Sequence, residues 1–188
     1  ALDDSAATRS SLLSTLLRSP AAIGVLRPGG EGLNALALSP DGGTLAVSDA
    51  DGTVTLFDTE TQEVIGDHQA PGTAYALAFD PQGDSLALSP APPEGLGTLE
   101  ILDAATGRVR SSTPIGGNLA ATGQGFANFG MVFYAPDGRS LIVPYTRGID
   151  EDASPFFLRR YDARRGTPLG KPVRVAPIPD GTVPLMTP

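Results

Sequence analysis

Three segments of the chain repeat one pattern of strand, tight turn and strand. They are LALSPDGGTLAVS (36–48), LAFDPQGDSLALS (77–89) and VFYAPDGRSLIVP (132–144), which align without a gap on Pro40, Pro81 and Pro136. A second set aligns on Asp58, Asp103 and Asp162: TVTLFDTETQEVI (53–65), TLEILDAATGRVR (98–110) and FLRRYDARRGTPL (157–169). Apolar residues alternate with small or polar residues in both sets, as in antiparallel hairpins. The sequence therefore predicts three units of four strands.

The spacing of these units is that of β-propeller blades. Pro40 and Pro81 are 41 residues apart, and Pro81 and Pro136 are 55 apart. Blades of four short strands repeat at about this distance, and each blade buries its faces by stacking on its neighbours. Three blades cannot close a ring, because propellers typically have at least about four. We therefore expect the chain to be a fragment of a longer polypeptide, or to close its ring with another chain.

Short motifs in the repeats resemble those of the WD-repeat family. They are Ser-Pro-Asp-Gly at 39–42, Asp-Ala-Asp-Gly-Thr-Val at 49–54 and an apolar or aromatic residue before Asp58, Asp103 and Asp162. The resemblance covers residues 21 to about 176. The Trp of the family is replaced by Phe57, Leu102 and Tyr161, and its Gly-His pair survives only as Gly66-Asp67-His68. The resemblance implies a propeller of degenerate blades, in which His68 is structural and hydrogen-bonds within its own blade.

The resemblance also suggests how the chain is divided. The segment AAIGVLR (21–27) would be the outer strand of a closing blade whose other strands are missing. The propeller segment then runs over 21–188, with blade 1 at 33–66, blade 2 at 73–112, blade 3 at 128–172 and a loop into a missing blade at 173–188. We expect an all-β partial propeller in which three four-stranded antiparallel blades follow this single strand.

Residues 1–20 are predicted to be a helical linker from a missing upstream region. Leu12, Leu13, Leu16 and Leu17 form one stripe, and Pro20 ends the helix. A Leu-rich helix followed by WD repeats resembles a junction in large bacterial signalling proteins, which join a STAND-type ATPase to a transcription-regulatory region. The resemblance implies that this chain is part of such a protein.

Charge and composition narrow the classes of partner. The net charge is −8, with 13 Lys and Arg residues that are spread out, and this argues against direct binding to nucleic acid. The chain has no Cys, so disulfides, thiol catalysis and thiolate metal sites are excluded. No apolar run reaches the roughly 18 residues of a membrane span. We expect a cytoplasmic protein that binds neither membranes nor cofactors.

The connections between strands vary in length on one side of the predicted blades. From the repeat Pro to the following Asp of the third strand the distance is 18, 22 and 26 residues, and from that Asp to the next Pro it is 23 and then 33. Insertions on a single face are typical of a binding face, although drift in unconstrained loops is the alternative. The candidate loops are 90–97, 115–130 and 146–155. The candidate partner-binding residues are Asp49, Asp51, His68, Glu94, Asn118, Gln124, Phe126, Arg147, Asp150, Glu151 and Asp152.

Four stretches resemble sites of metal or phosphate chemistry. Asp49-Ala50-Asp51-Gly52 begins like a calcium loop, but Gly lies in the fourth position instead of the sixth, so we expect a hairpin turn capped by Asp. GTPLGKP (166–172) and GQGFANFG (123–130) lack the spacing of phosphate and dinucleotide loops, so we expect a turn with a strand and a loop. GIDED (148–152) is either a solvated acidic loop or a surface for a cation or a basic partner.

We predict no catalytic, cofactor-binding or metal-binding residue in this chain. His68 is the only histidine, and no Gly-x-Ser-x-Gly motif could supply an activated serine. The leading hypothesis is a non-catalytic scaffold that binds a protein or senses a signal. A lactonase-like propeller enzyme is the alternative, because LDAATGRV (102–109) and PIGG (114–117) resemble repeats of such enzymes. A structural spacer is the third possibility.

Overall fold

A computed structural model describes residues 26–30, 32–91, 97–115, 131–146 and 156–175. The predicted helix within 1–20 and residues 21–25 of the predicted closing strand lie outside these ranges. Leu26 and Arg27, the last two residues of that predicted strand, are described and are not in a strand.

The described residues form three separate four-stranded antiparallel sheets. Blade 1 consists of β1 (Leu33–Leu38), β2 (Thr44–Asp49), β3 (Thr53–Asp58) and β4 (Val64–Gln69). Blade 2 consists of β5 (Thr73–Phe79), β6 (Ser85–Ala91), β7 (Thr98–Asp103) and β8 (Val109–Pro114). Blade 3 consists of β9 (Phe133–Tyr134), β10 (Ser140–Thr146), β11 (Phe156–Asp162) and β12 (Pro168–Val175). Each strand pairs with its neighbours in chain order, so the predicted all-β blades are confirmed.

The fourth strand of every blade is longer than the sequence predicts. These strands end at Gln69, Pro114 and Val175, which lie three, two and three residues beyond the predicted boundaries of 66, 112 and 172. The physical reason is that hydrogen bonding to the third strand continues past these boundaries, as in the pairs Val54–His68, Leu99–Thr113 and Leu158–Val173. In blade 1 the added residues are all polar and show no apolar alternation, whereas in blade 3 they include Val173 and Val175.

The core between blades 1 and 2 comes from alternate residues of the facing sheets. Val54 and Leu56 point toward blade 2 and are fully buried there against Leu88. The other buried members are Ala46, Ala70, Ala74, Leu86 and Leu102. Each fully buried Leu contributes roughly 1.5–3 kcal/mol relative to an exposed one, so this packing holds the two blades together.

A second core joins blades 2 and 3. Leu99 and Ile101 of β7 point toward blade 3, whereas their neighbour Leu102 belongs to the first core. The other buried members are Ala87, Ile115, Val132, Leu141, Val143, Tyr145, Tyr161 and Ala163. Blade 2 is therefore buried on both faces. The first strands contact one another, β5 with β1 and β9 with β5, which makes them the inner strands of the stack.

The two end blades each carry an exposed apolar face. On blade 1, Leu36 and Leu38 of the inner strand are 70% and 57% exposed, although Val47 and Phe57 on the same face are buried. On blade 3, Phe133 and Val173 point away from blade 2 and are 45% and 64% exposed. Their strand partners Ile142 and Leu158 share that face with the exposed Arg160, which pairs with Ile142, and we call it the open face of blade 3. Among the described residues, no further blade covers either end of the stack.

Candidate interaction face

The two edges of the blade stack differ in their connections. The first and second strands are joined by residues 39–43, 80–84 and 135–139, and the third and fourth by 59–63, 104–108 and 163–167, so all six connections have five residues. We call this edge the constant face. The opposite edge, the variable face, carries residues 50–52, 92–97 and 147–155 within the blades and 70–72 and 115–132 between them. These connections range from three to eighteen residues.

The constant face is held by one repeated hydrogen-bond pattern. A carboxylate oxygen of Asp58 accepts the backbone N–H groups of Glu60 and Thr61, at 2.9 and 2.7 Å. Asp103 and Asp162 bind the equivalent turns in the same way. Because these bonds favour the ionised carboxylate, they keep the pKa of all three side chains below the ordinary value. At Asp103 the largest cause is the hydroxyl of Thr106, followed by Arg110.

On the variable face, the Asp49–Gly52 stretch is a capped hairpin turn, as predicted. Asp49 is only 2% exposed, and its Oδ1 accepts the N–H groups of Asp51 and Thr53 at 3.0 and 2.8 Å. Gly52 has a φ of 85°, which favours glycine. The Asp49 carboxylate therefore caps the turn. Across the described ranges, no group of three or more His, Cys, Asp or Glu side chains could hold a metal ion.

This turn packs on the short connection between blades 1 and 2. The Gln69 amide donates to the Asp51 carbonyl at 2.9 Å, and the Thr73 hydroxyl donates to the Ala50 carbonyl at 3.2 Å. A Cβ atom on Gly52 would lie 2.7 Å from the Gly72 carbonyl oxygen, so only glycine fits this close approach. The side chains of Asp51 and Gln69 remain exposed. Blade 1 thus presents an exposed carboxylate on a rigid, well-bonded turn.

His68 joins two blades. Its Nε2 lies 2.8 Å from Glu100 Oε2 on β7 of blade 2, and the two side chains are only 12% and 7% exposed. The Ser112 hydroxyl donates to the other oxygen of Glu100 at 3.2 Å. The expectation that His68 hydrogen-bonds within its own blade is wrong. His68 lies in β4 opposite Val54 of β3, and both side chains point toward blade 2. The role of Glu100 was not predicted from the sequence, although a charged residue within the apolar strand TLEILD could have indicated it.

The other candidate residues lie outside the described ranges: Glu94, Asn118, Gln124, Phe126, Arg147, Asp150, Glu151 and Asp152. The strands that flank their loops end on the variable face. The structure therefore brings Asp49 and Asp51 to the same edge as these loops. It places His68 between blades 1 and 2, near the variable end of β4.

Only one of the two glycine-rich stretches lies within the described residues. GTPLGKP (166–172) starts in the five-residue turn that follows Asp162 and continues into β12, so the predicted turn and strand are confirmed. GQGFANFG (123–130) lies outside the described residues. In the described part of the chain, no helix is long and apolar enough to cross a membrane.

Comparison with known proteins supports the fold. BamB from Moraxella catarrhalis superimposes with a TM-score of 0.56 at 16% identity, covering 80% of this chain and 40% of that one. The hydrazine synthase of Kuenenia stuttgartiensis gives 0.57 at 16% identity, covering 76% and 37%. Both are β-propeller proteins. The chain has a partial β-propeller fold. The dihydro-heme d1 dehydrogenase NirN gives 0.54 at 26% identity, covering 77% of this chain and 28% of that one.

Sequence comparison gives a weaker and partial relationship. No family model matches the chain. Tricorn protease homolog 1 of Streptomyces coelicolor is 33% identical over 116 residues, which are 61% of this chain and 10% of that protein. The chain therefore spans a tenth of this relative and less than half of each of these three structures.

Proposed function

We propose that this chain is a non-catalytic WD-repeat segment of a β-propeller and acts as a protein-interaction or sensing scaffold. The carrying observation is the contrast between the two edges of the stack: six connections of five residues on one, and three to eighteen residues on the other. Insertions collected on one edge of a repeat protein are typical of a binding face, and they support contacts with a partner at that edge.

The charges on the variable face indicate the chemistry of the partner. Asp51 is exposed there, and the candidate loops add Glu94, Asp150, Glu151 and Asp152 against a single Arg147. Opposite charges steer association and suppress wrong partners. We therefore propose a protein partner with a basic contact surface, and we expect binding to weaken as salt is added.

The test exchanges a long loop for the short turn of blade 1. Residues 147–155 are replaced by Ala-Asp-Gly, the sequence of residues 50–52, and bound proteins are compared quantitatively in pull-downs with the parent chain. We expect partner recovery to fall at least tenfold while the melting temperature changes by less than about 2 °C, because the stacked cores are untouched. The matched control is Glu60→Lys with Glu63→Lys on the constant face, which should bind normally. Equal recovery by all three chains would refute the proposal.

A second candidate function is that this segment is a structural part of a large enzyme. The similar proteins include a protease homologue and a dehydrogenase, and this favours it. A lactonase-like propeller enzyme belongs to the same candidate. The distinguishing measurement is hydrolysis of peptides and lactones by the full-length protein, before and after the exchange of 147–155. Activity that depends on this loop would favour the enzyme over the scaffold.

The cellular setting is also a proposal. A cytoplasmic bacterial signalling or transcription-regulatory protein with a STAND-type ATPase would use such a scaffold to sense a partner. The complete reading frame decides this setting: a nucleotide-binding region before the blades supports it, and a protease or oxidoreductase region instead of it supports the second candidate.

A further inference from the structure

Exposed arginines are concentrated where blade 3 meets blade 2 on the constant face. Two belong to the outer strand of blade 2 and to the turn before it, and three belong to the five-residue turns of blade 3. They are Arg108, Arg110, Arg139, Arg164 and Arg165, and we call them the arginine patch. These residues are distant from one another along the chain, so the sequence alone gives no sign of a basic surface. The stacking of blades 2 and 3 brings them together.

Backbone contacts fix the frame of the arginine patch. The Ser111 hydroxyl of β8 donates to the Arg165 carbonyl at 2.7 Å, which joins the outer strand of blade 2 to a turn of blade 3. Within blade 3, the Ala163 N–H donates to the Arg139 carbonyl at 3.0 Å, which joins its two turns. The three backbone segments that carry the arginines are therefore held next to one another before any partner binds.

Most guanidinium groups of the arginine patch are available for a partner. Arg110 donates to the Ser85 hydroxyl at 2.7 Å and forms an ion pair with Asp103. Across the described ranges, the side chains of the other four arginines form no hydrogen bond or ion pair with the protein. Each guanidinium has five N–H donors, so the patch has a large unused capacity to bind acceptors.

Nearby carboxylates offset only part of the positive charge. The pKa of Asp162 is lowered first by the backbone N–H groups of Arg165 and Arg164, and their charges lower it further. This carboxylate already caps its own turn. The aspartates of the turns and the buried aspartate beside them do not cancel all five charges: Asp80, Asp103, Asp137 and Asp162. The arginine patch therefore keeps a net positive charge in a chain whose net charge is −8.

The junction between blades 1 and 2 serves as an internal comparison. The alignment on the repeat Pro and Asp places Glu63, Ile65, Asp84, Ala105 and Thr106 at the positions of the five arginines. Both junctions have the same turn lengths and the same turn aspartate. The propeller fold itself therefore does not require basic residues at these positions, and the arginine patch is specific to the junction between blades 2 and 3.

We propose that the arginine patch binds an acidic segment of another protein. Guanidinium groups recognise carboxylates through paired, charge-assisted hydrogen bonds. A short acidic segment can contact the patch alone, whereas a long nucleic acid would also meet the negative charge of the rest of the chain. This surface lies on the constant face, opposite the variable loops, and it takes a partner of the opposite charge. It does not depend on what those loops bind.

Charge reversal within the patch tests this proposal. Binding of a labelled oligoglutamate peptide to the full chain is measured by fluorescence anisotropy at low salt. We expect Arg164→Glu with Arg165→Glu to weaken binding at least about tenfold, because acidic side chains then repel the peptide. The matched control is Lys171→Glu with Arg174→Glu, which makes the same change in charge at exposed positions of β12. This control should weaken binding by less than about threefold, through long-range charge alone.

A second pair of substitutions decides the case if the first disturbs folding. Arg108→Glu with Arg139→Glu changes the two sides of the same junction, and it should also weaken binding at least about tenfold in chains that melt like the parent. Equal losses in the patch variants and in the control would overturn the proposal, as would a parent chain that does not bind the peptide. Tighter binding of an oligothymidylate of the same charge would assign the surface to nucleic acid instead. None of these variants alters the variable face, so their outcome is separate from that of the loop exchange.

Discussion

At the scale of single residues, the chain relies on aspartates that close turns. Asp58, Asp103 and Asp162 each accept two backbone N–H groups within the following turn. Gly107 and Gly166 follow two of them at positive φ, and Gln62 takes the same conformation in blade 1 with a φ of 63°. The carboxylate therefore fixes the turn even where glycine is absent.

The turn aspartates make stability depend on pH in a defined direction. The folded pKa of Asp103 lies below its ordinary value of 3.8, so its contribution is fully present above about pH 4 and is lost as the pH falls through the folded pKa. We expect Asp103→Asn to melt below the parent chain at pH 7, and the gap to narrow as the pH falls below about 4. Thermal melts across this range measure it. Glu63→Gln, another carboxylate of the constant face, is the control. A gap that stays constant down to pH 2 would contradict this account.

At the scale of strands, the blades are joined by polar contacts as well as by apolar cores. His68 and Glu100 connect β4 to β7, and the Ser48 hydroxyl connects β2 to β5. The strands and the constant turns could be predicted from the sequence, because Pro, Asp, Gly and apolar alternation act within a few residues. The His68–Glu100 contact could not, because it depends on two faces that meet only after blades stack. The end of the outer strand of blade 1 was missed because its last residues, 67–69, are polar and show no apolar alternation.

Breaking the contact between His68 and Glu100 should destabilise the chain, because both side chains are largely buried. His68→Ala leaves the buried Glu100 carboxylate with Ser112 as its one remaining partner in the described part of the chain, and we expect a loss of about 1–3 kcal/mol in the free energy of unfolding. A double-mutant cycle with Glu100→Gln, followed by urea unfolding, measures the coupling between the two side chains. Strictly additive losses would show that this contact does not join the blades.

The hydroxyls of Ser48 and Ser89 offer a matched test of the junctions. These serines are equivalent in the repeat and both are fully buried, but only Ser48 has a hydrogen-bond partner among the described residues. We expect Ser48→Ala to lower the free energy of unfolding by about 1 kcal/mol, and Ser89→Ala to be neutral or stabilising. Chemical denaturation of both variants decides this, and equal losses would go against it.

At the scale of the whole molecule, the stack is a segment whose ends determine its behaviour in solution. Blade 2 is buried on both sides, while blade 1 exposes Leu36 and Leu38 along its inner strand. Strand faces of this kind bind other apolar surfaces and promote association. The isolated 188-residue chain should therefore self-associate through these faces, and the exposed leucines of blade 1 are the place to test it.

We expect Leu36→Asp with Leu38→Asp to reduce self-association of the isolated chain, measured by light scattering and by binding of an apolar dye. Because both leucines are exposed, their replacement removes little buried area, and the melting temperature should change by less than about 3 °C. Val109→Asp is the control, since Val109 is 46% exposed on the outer strand of blade 2 and therefore lies at neither end of the stack. A parent chain that is already monodisperse and binds no dye would exclude the open end as an association surface. An equal reduction by Val109→Asp would show that net charge, rather than this face, controls association.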